Sequence, residues 1–349
     1  MIDIVLKTML VLPILYYSLI FVLTYLSPHP APPTKKSLTY LSASEPKKPG
    51  GRLTPIVDKA KLPSIELSVV IPAYNEEHRL RDGLMDALKW LEEWRKNRKE
   101  GTEAWQAGSY EVIIVDDGSK DRTVEVALDL AIEHAKNSDQ PALGEIRVVQ
   151  LGKNRGKGGA VRHGILYARG HRILFADADG ASDFSDLQLL MDRMDEIAVK
   201  KTDSSIIEEF GMAIGSRAHL VSSETVVSRS KFRNFLMKCF HLYLYILGLR
   251  DIRDTQCGFK LLTRATARQV VDGLHVEGWI FDVELLLLAK LMDPPVPIAE
   301  VPIRWNEVSG SKLSVIKDSI TMAIELLIIR LNYMLGVWKV PKDTSRSTT

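Results

Sequence analysis

The chain has 349 residues, enough for one large or two small domains with a sizeable core. Its 46 basic residues nearly balance 44 acidic ones, and a formal net charge of +2 argues against broad electrostatic binding of nucleic acid. Its two cysteines, Cys239 and Cys257, lie outside any CxxC or Cys/His spacing, which argues against a disulfide scaffold or a zinc module and favours a reducing compartment.

The first predicted element is an apolar segment from Ile4 to Leu26, long enough to cross a hydrocarbon core that needs about 20 apolar residues. A cleaved signal peptide is the alternative, but the segment exceeds the usual apolar stretch of about 7–15 residues and no A-x-A-like site follows it. The basic residues that follow are Lys35, Lys36, Lys47, Lys48 and Arg52. The positive-inside rule therefore predicts a single-pass anchor at residues 1–27 with the remainder in the cytosol. The polar composition of residues 28–64 predicts a linker.

Strands and helices then alternate along the chain. The predicted strands are residues 65–72, 110–117, 146–151 and 171–179. The predicted helices begin near Leu80, where apolar residues recur at helical spacing, and cover about residues 122–135 and 158–168. This alternation predicts an α/β fold with a mostly parallel sheet, in which ligands bind at the carboxyl ends of the strands.

Two polar clusters follow the first two predicted strands. Residues 72–76 read PAYNE, in which Tyr74 could stack on a base and Glu76 could accept hydrogen bonds, although a capped helix entrance is the alternative. Residues 115–121 read VDDGSKD, in which Asp117 ends a strand, although an ordinary Asp-Gly-Ser turn is the alternative. Either cluster alone is weak evidence for a binding site.

Two further clusters carry more chemistry. Residues 154–160 read NRGKGGA, so backbone N–H groups, a helix N-terminus and Lys157 could bind an anion or a nucleotide; an ordinary glycine-rich connection stays open. Asp177 and Asp179 follow the apolar strand RILFA, one residue apart. Two carboxylates at a strand end predict a Mg²⁺ or Mn²⁺ site that holds a diphosphate, with a solvated acidic loop as the alternative.

The order of these four motifs resembles family-two glycosyltransferases of the GT-A fold, over about Glu66 to Ser314. Later segments are similar to the dolichyl-phosphate glucosyltransferase branch: GSR (215–217), DTQCGFK (254–260), GWIFDVELL (278–286) and VPIRWNEVSGSKLS (301–314). The resemblance implies a Rossmann-like GT-A domain at residues 65–317. It also implies transfer of glucose from UDP-glucose to dolichyl phosphate, at the cytosolic face of the endoplasmic reticulum, for protein N-glycosylation.

The predicted site residues combine these motifs with the resemblance. They are Pro72, Tyr74, Glu76, Asp117, Lys157 and Asp177 for the nucleotide, Arg217, Arg229, Arg233 and Lys312 for phosphate groups, Asp177 and Asp179 for the metal, and Asp254 and Asp282 as catalytic candidates. The last two could orient groups or act as a base. An alkyl phosphate acceptor is largely dianionic near neutral pH, with a second pKa of about 6, so transfer by single displacement need not use a base.

A lipid acceptor predicts contact of the domain with the bilayer. An apolar face between Phe232 and Leu247 and an amphipathic helix at residues 318–340 are the candidates, followed by a disordered tail at 341–349. The alternative is that both segments simply cover the sheet.

Rival functions remain open at this point. Val301 stands where processive synthases carry a glutamine before Arg304-Trp305, which disfavours that class. A mannosyl or other polyprenyl-phosphate sugar transferase, a non-catalytic nucleotide-sugar-binding protein and a structural membrane adaptor are the alternatives. The choice of Mg²⁺ or Mn²⁺ and self-association into a homo-oligomer are open as well.

Overall fold

The computed structural model describes residues 2–48, 50–56, 63–98, 105–203, 206–222, 249, 251–308 and 315–341. The predicted phosphate ligands Arg229, Arg233 and Lys312 and the apolar face of residues 232–247 lie outside the described residues, as does most of the predicted tail.

Strands and helices alternate through the described residues. The strands are β1 (Thr39–Ser42), β2 (Gly51–Arg52), β3 (Ile65–Ala73), β4 (Gln106–Asp116), β5 (Gly144–Gln150), β6 (Gly170–Ala176), β7 (Val199–Asp203), β8 (Ile206–Phe210), β9 (Met212–Ser216), β10 (Phe259–Thr263) and β11 (Ile298–Pro302). The α-helices are α1 (Ile2–Leu26), α2 (Leu80–Asn97), α3 (Thr123–Asn137), α4 (Lys157–Leu166), α5 (Leu187–Ile197), α6 (Arg264–Val270), α7 (Phe281–Leu291) and α8 (Val315–Met334).

The main sheet of the described residues has the order β11-β9-β10-β6-β3-β4-β5-β1-β2, and β7 and β8 form a separate hairpin. The central strands β5, β4, β3 and β6 are parallel to one another. Strand β10 runs antiparallel to both of its neighbours, and so does β1. The sheet is therefore mixed but mostly parallel, which confirms the predicted α/β class.

Both faces of the sheet are buried, which explains the continuous apolar run of β3. Leu67, Val69 and Ile71 join a core that includes the apolar faces of α2, α3 and α5. Val70 points to the opposite core, which α4, α6 and α7 cover. A strand that is buried on both faces favours consecutive apolar side chains, because successive side chains point to opposite faces, and the buried Ser68 of β3 is satisfied by donating to Glu111.

The predicted linker at residues 28–64 is partly wrong, because this stretch contributes to the sheet. Strand β1 pairs with β5 in the antiparallel direction and also with β2. The Tyr40 ring lies under the Arg147 guanidinium, with 4.0 Å between the guanidinium carbon and the ring centroid. Such short strands give little sequence signal, since the edge of the existing sheet supplies their partners.

The two terminal helices pack against each other. The hydroxyl of Ser27, just after α1, donates to Asn332 Oδ1 of α8 at 3.0 Å, and both residues are buried. Helix α8 ends earlier than predicted, because the chain turns at Gly336 (φ +70°) and Trp338 stacks on His275 with ring centroids 4.0 Å apart. Among the residues that the structure describes, no helix meets the length and apolarity needed to span a membrane.

Candidate active site

The predicted polar motifs converge at one edge of the sheet. Strands β3 and β4 are parallel and in register to their ends, where Ala73 pairs with Asp116. The Asp117 N–H donates to the Ala73 carbonyl at 2.8 Å, which joins the loop after β4 to that after β3. The loop after β6 opens at the same edge, since β6 is parallel to β3.

Asp117 holds the glycine-rich loop in place. Its carboxylate accepts N–H hydrogen bonds from Arg155 at 2.7 Å and Gly156 at 2.9 Å. Gly156 has φ +89°, a conformation that disfavours a side chain, and a Cβ there would meet the Glu277 carbonyl. Asp117, a predicted nucleotide-binding residue, is therefore buried against the loop that carries Lys157.

The PAYNE motif folds into a turn that faces the loop after β4. Asn75 adopts φ +52°, and its side-chain oxygen accepts the Lys120 N–H at 2.8 Å, while its own N–H donates to the Ser119 hydroxyl at 2.9 Å. These bonds hold the left-handed conformation that asparagine tolerates. Half-buried Tyr74 directly precedes this turn, and Pro72 lies in β3.

Glu76 is engaged by a residue that sequence reasoning missed. Its carboxylate accepts two hydrogen bonds from the Arg79 guanidinium, both at 2.9 Å. Arg79 also lies 3.9 Å from Asp179 Oδ2. Arg79 therefore links the PAYNE turn to the predicted metal ligands, and its only sequence signal is the three-residue spacing after Glu76.

Asp177 and Asp179 lie in the loop after β6, as predicted. The Lys157 Nζ is 2.6 Å from Asp177 Oδ1, and the two side chains are 15% and 36% exposed. Asp179 Oδ1 accepts the Ala181 N–H at 3.1 Å. Both carboxylates are thus partly open to solvent and held by cations or N–H groups of the chain.

Two glycines make room for this acidic loop: Gly83, which sequence reasoning missed, and Gly258 of the segment DTQCGFK. A Cβ on Gly83 of α2 would meet the Ala178 carbonyl and lie 2.8 Å from the Gly180 nitrogen. A Cβ on Gly258 would lie 2.5 Å from Asp177 Oδ1 and still closer to Oδ2. The glycine of the Asp-x-x-x-Gly-Phe element, which starts at Asp254, therefore lets the chain pass beside Asp177.

Asp254 and Arg217 form a bidentate ion pair. The Arg217 guanidinium donates to Asp254 Oδ2 at 2.7 Å and to Oδ1 at 2.9 Å, and it lies 5.5 Å from the Trp305 ring. Burial would raise the pKa of Asp254, but the Arg217 charge and hydrogen bonds outweigh it and hold that pKa below its usual range. A carboxylate with a lowered pKa is a weak base, so the pairing favours an orienting role for Asp254.

Asp282 lies deeper, at the start of α7. Its Oδ1 is 2.5 Å from the Lys260 Nζ, and the side chains of Lys260 and Asp282 are 0% and 3% exposed. Lys260 also donates to the Cys257 carbonyl at 2.5 Å. This burial and pairing favour a supporting role for Asp282 over contact with a substrate.

The donor set fits a metal ion that a substrate helps to hold. Among the residues with described side chains, no cluster of three or more His, Cys, Asp or Glu side chains is arranged to hold a metal ion. Asp177 and Asp179 offer two carboxylates, and Mg²⁺ usually takes one or two carboxylates and completes its shell with water and phosphate oxygens. Such a site would take its remaining ligands from water and from the phosphate oxygens of a substrate.

The pH dependence of stability should report on Asp117. Burial raises the pKa of Asp117 to about 7, against the opposing hydrogen bonds of Arg155 and Gly156. A carboxyl with a raised folded pKa contributes stability that is present at low pH and lost as pH rises toward 7. Between pH 5 and pH 8 we expect the wild-type free energy of unfolding to fall by about 1–3 kcal/mol relative to Asp117→Asn. Thermal unfolding midpoints of wild type and Asp117→Asn, measured across this pH range, test the prediction. Midpoints of the two proteins that change in parallel with pH would contradict it.

Comparisons with known proteins show which sequences this chain is similar to. Residues 68–267 match the protein family described as "Glycosyl transferase family 2". The chain is 43% identical over 322 residues to a Saccharomyces cerevisiae "Dolichyl-phosphate beta-glucosyltransferase", covering 92% of this chain and 91% of that protein. It is 46% identical over 278 residues to the Drosophila melanogaster protein of the same name, covering 80% and 78%.

A solved structure is also similar. It is glucosyl-3-phosphoglycerate synthase from Mycobacterium tuberculosis in complex with Mn²⁺ and UDP-glucose, at 19% identity, with a TM-score of 0.46 and coverage of 76% of this chain and 79% of that one.

Proposed function

This chain belongs to glycosyl transferase family 2, and from that premise we propose that it transfers glucose from UDP-glucose to dolichyl phosphate. The products are dolichyl β-D-glucosyl phosphate and UDP, formed by a single displacement that inverts the donor's α linkage. The observation that carries the proposal is the identity of 43% over nearly the whole chain with a relative named for this activity. The convergence of Asp177, Asp179, Lys157 and Arg217 at one edge of the sheet supports it.

The donor half of the site consists of the loops after β3, β4 and β6. Pro72, Tyr74, Glu76 and Asp117 line the uridine pocket in this proposal. Asp177 and Asp179 would hold Mg²⁺ or Mn²⁺, which supplies positive charge to the leaving diphosphate when bound. Lys157 at the N-terminus of α4 adds a further positive charge beside these carboxylates.

The part of the site that would bind the phosphate acceptor needs positively charged side chains more than it needs a general base. Arg217 is fixed by Asp254 through two hydrogen bonds, so its guanidinium has a defined orientation near Trp305. We assign Arg217, together with Arg229, Arg233 and Lys312, to phosphate binding. An alkyl phosphate is already largely ionised near pH 7, so the reaction does not need a general base. The ion pairs of Asp254 with Arg217 and of Asp282 with Lys260 are therefore compatible with transfer.

A lipid acceptor also requires access from the bilayer. Large apolar side chains of α1 are exposed: Ile14, Leu15, Tyr17, Phe21, Tyr25 and Leu26. On α8 the exposed apolar side chains are Ile320, Ile324, Leu327 and Met334. On the apolar sequence of residues 4–26 and the basic residues that follow it, we propose that the N-terminal segment anchors the protein to the endoplasmic reticulum membrane with the catalytic domain in the cytosol. We assign α8 to the membrane interface.

A donor comparison tests the proposal directly. Full-length protein in lipid is given labelled UDP-glucose, GDP-mannose or UDP-N-acetylglucosamine with dolichyl phosphate, with and without EDTA. Of the three donors, we expect only UDP-glucose to give a labelled lipid product, and we expect EDTA to abolish its formation. Transfer from GDP-mannose instead would identify a sister enzyme, and no transfer by folded protein from any donor would contradict an enzymatic function.

A further inference from the structure

Lys157 occupies a position that a helix alone would disfavour. It is the first residue of α4, where the helix dipole is positive, and the first turn, Lys-Gly-Gly-Ala, carries no acidic residue. A cation there is unfavourable unless negative groups outside the helix compensate it. Asp177 provides one such group, with its Oδ1 2.6 Å from the Lys157 Nζ.

The start of α4 packs on the start of α7, which carries Asp282, since a Cβ added to Gly158 would lie 2.5 Å from the Phe281 Cβ. Asp282 is itself fixed by Lys260, whose ammonium is 2.5 Å from its Oδ1 and also donates to the Cys257 carbonyl. Lys157 therefore lies beside one partly exposed carboxylate, at a helix end that packs against a buried ion pair.

Cations of the chain lie beside the carboxylates of the site, and Arg79 is shared between Glu76 and Asp179. Each of four carboxylates has a cation beside it, and the nitrogen–oxygen distances are 2.6 Å for Asp177–Lys157, 3.9 Å for Asp179–Arg79, 2.7 Å for Asp254–Arg217 and 2.5 Å for Asp282–Lys260. A divalent cation alone would add two positive charges beside these cations. A nucleotide diphosphate alone would add negative charge beside the carboxylates, whereas the two together nearly cancel.

We propose that Lys157 is the counter-cation of Asp177 when neither metal nor nucleotide is bound, and that it turns from Asp177 to the donor diphosphate when both bind. Without a nucleotide, Lys157 competes with a divalent cation for Asp177. When the diphosphate binds Lys157, Asp177 is released to the metal, so metal and nucleotide each favour the binding of the other. This inference rests on the proposed function, because it requires a diphosphate donor.

Binding of Mn²⁺ without any nucleotide tests the competition. Full-length protein in lipid nanodiscs is titrated with Mn²⁺, and free Mn²⁺ is measured by electron paramagnetic resonance, with and without UDP. We expect Lys157→Met to bind Mn²⁺ alone about tenfold more tightly than wild type, because Asp177 is released. UDP should strengthen Mn²⁺ binding by a factor that is about tenfold smaller in Lys157→Met than in wild type. Couplings between two ligands are usually about 5- to 150-fold, so a change of this size is measurable.

Two further variants control the measurement. Lys157→Arg retains the charge and should keep most of the wild-type behaviour, and Lys153→Met removes an exposed lysine four residues earlier and should leave Mn²⁺ binding unchanged. Equal or weaker Mn²⁺ binding by Lys157→Met, in protein with wild-type thermal unfolding, would overturn the inference. A wild-type protein that binds Mn²⁺ and UDP but forms no glucosyl lipid would overturn only the proposed function, so the two failures are distinguishable.

Discussion

Replacing Asp179 with asparagine should lower the rate of glucosyl transfer by about 10²–10³-fold, the usual loss when one group that stabilises transition-state charge is removed. The substitution removes a negative charge from the predicted metal site but keeps an oxygen that can accept the Ala181 N–H. The loop should therefore keep its shape. Rates of transfer from UDP-glucose, measured over a range of Mn²⁺ concentrations, give the size of the loss.

A matched aspartate separates this effect from a general loss of negative charge. Asp195 lies on α5, is well exposed, and forms a surface ion pair with Arg172. Exposed ion pairs contribute about 0–1 kcal/mol, so Asp195→Asn should leave transfer unchanged. If folded Asp179→Asn transfers glucose at nearly the wild-type rate, Asp179 does not hold the metal and Asp177 is left as the sole candidate of the pair.

The location of the site was predictable because its motifs follow strands that are easy to recognise. The apolar runs before Ala73, Asp117 and Asp177 predict buried parallel strands, and the carboxyl ends of such strands meet at one edge of the sheet. Local sequence is sufficient here, because each motif adjoins its own strand. The same reasoning predicts a helix from about Gly158 after the glycine-rich loop, and α4 begins one residue earlier, at Lys157.

The partners of these groups were not predictable, because they come from distant parts of the chain. Lys157 pairs with Asp177, and Lys260 with Asp282, across separations of about twenty residues that have no local pattern. Gly83 approaches the acidic loop from a helix almost a hundred residues earlier. Contacts of this kind depend on how helices pack on the sheet, which periodicity alone does not specify.

Gly258 gives the second large effect, since Gly258→Ala should lower kcat/KM for glucosyl transfer by about 10²-fold without unfolding the protein. The added methyl group would lie 2.5 Å from Asp177 Oδ1 and closer to Oδ2, so the Asp177 carboxylate must turn away. The obstructed atoms end a partly exposed side chain, and its rotation relieves the conflict at little cost to the fold. A displacement of about 1 Å in a catalytic group is enough to cost about 10²-fold in rate.

Kinetics and thermal unfolding together test this explanation of the Asp-x-x-x-Gly-Phe element. Gly50→Ala is the matched control, because an added Cβ there lies 3.3 Å from the Glu45 side chain, far from Asp177. It should leave both kcat/KM and the unfolding midpoint close to wild type. Full activity of Gly258→Ala would show that transfer tolerates a displaced Asp177, and a large fall in its midpoint would show that the backbone yields instead of the side chain. A selective loss of kcat/KM would mean that the glycine is required to keep the Asp177 carboxylate in its place as a proposed metal ligand.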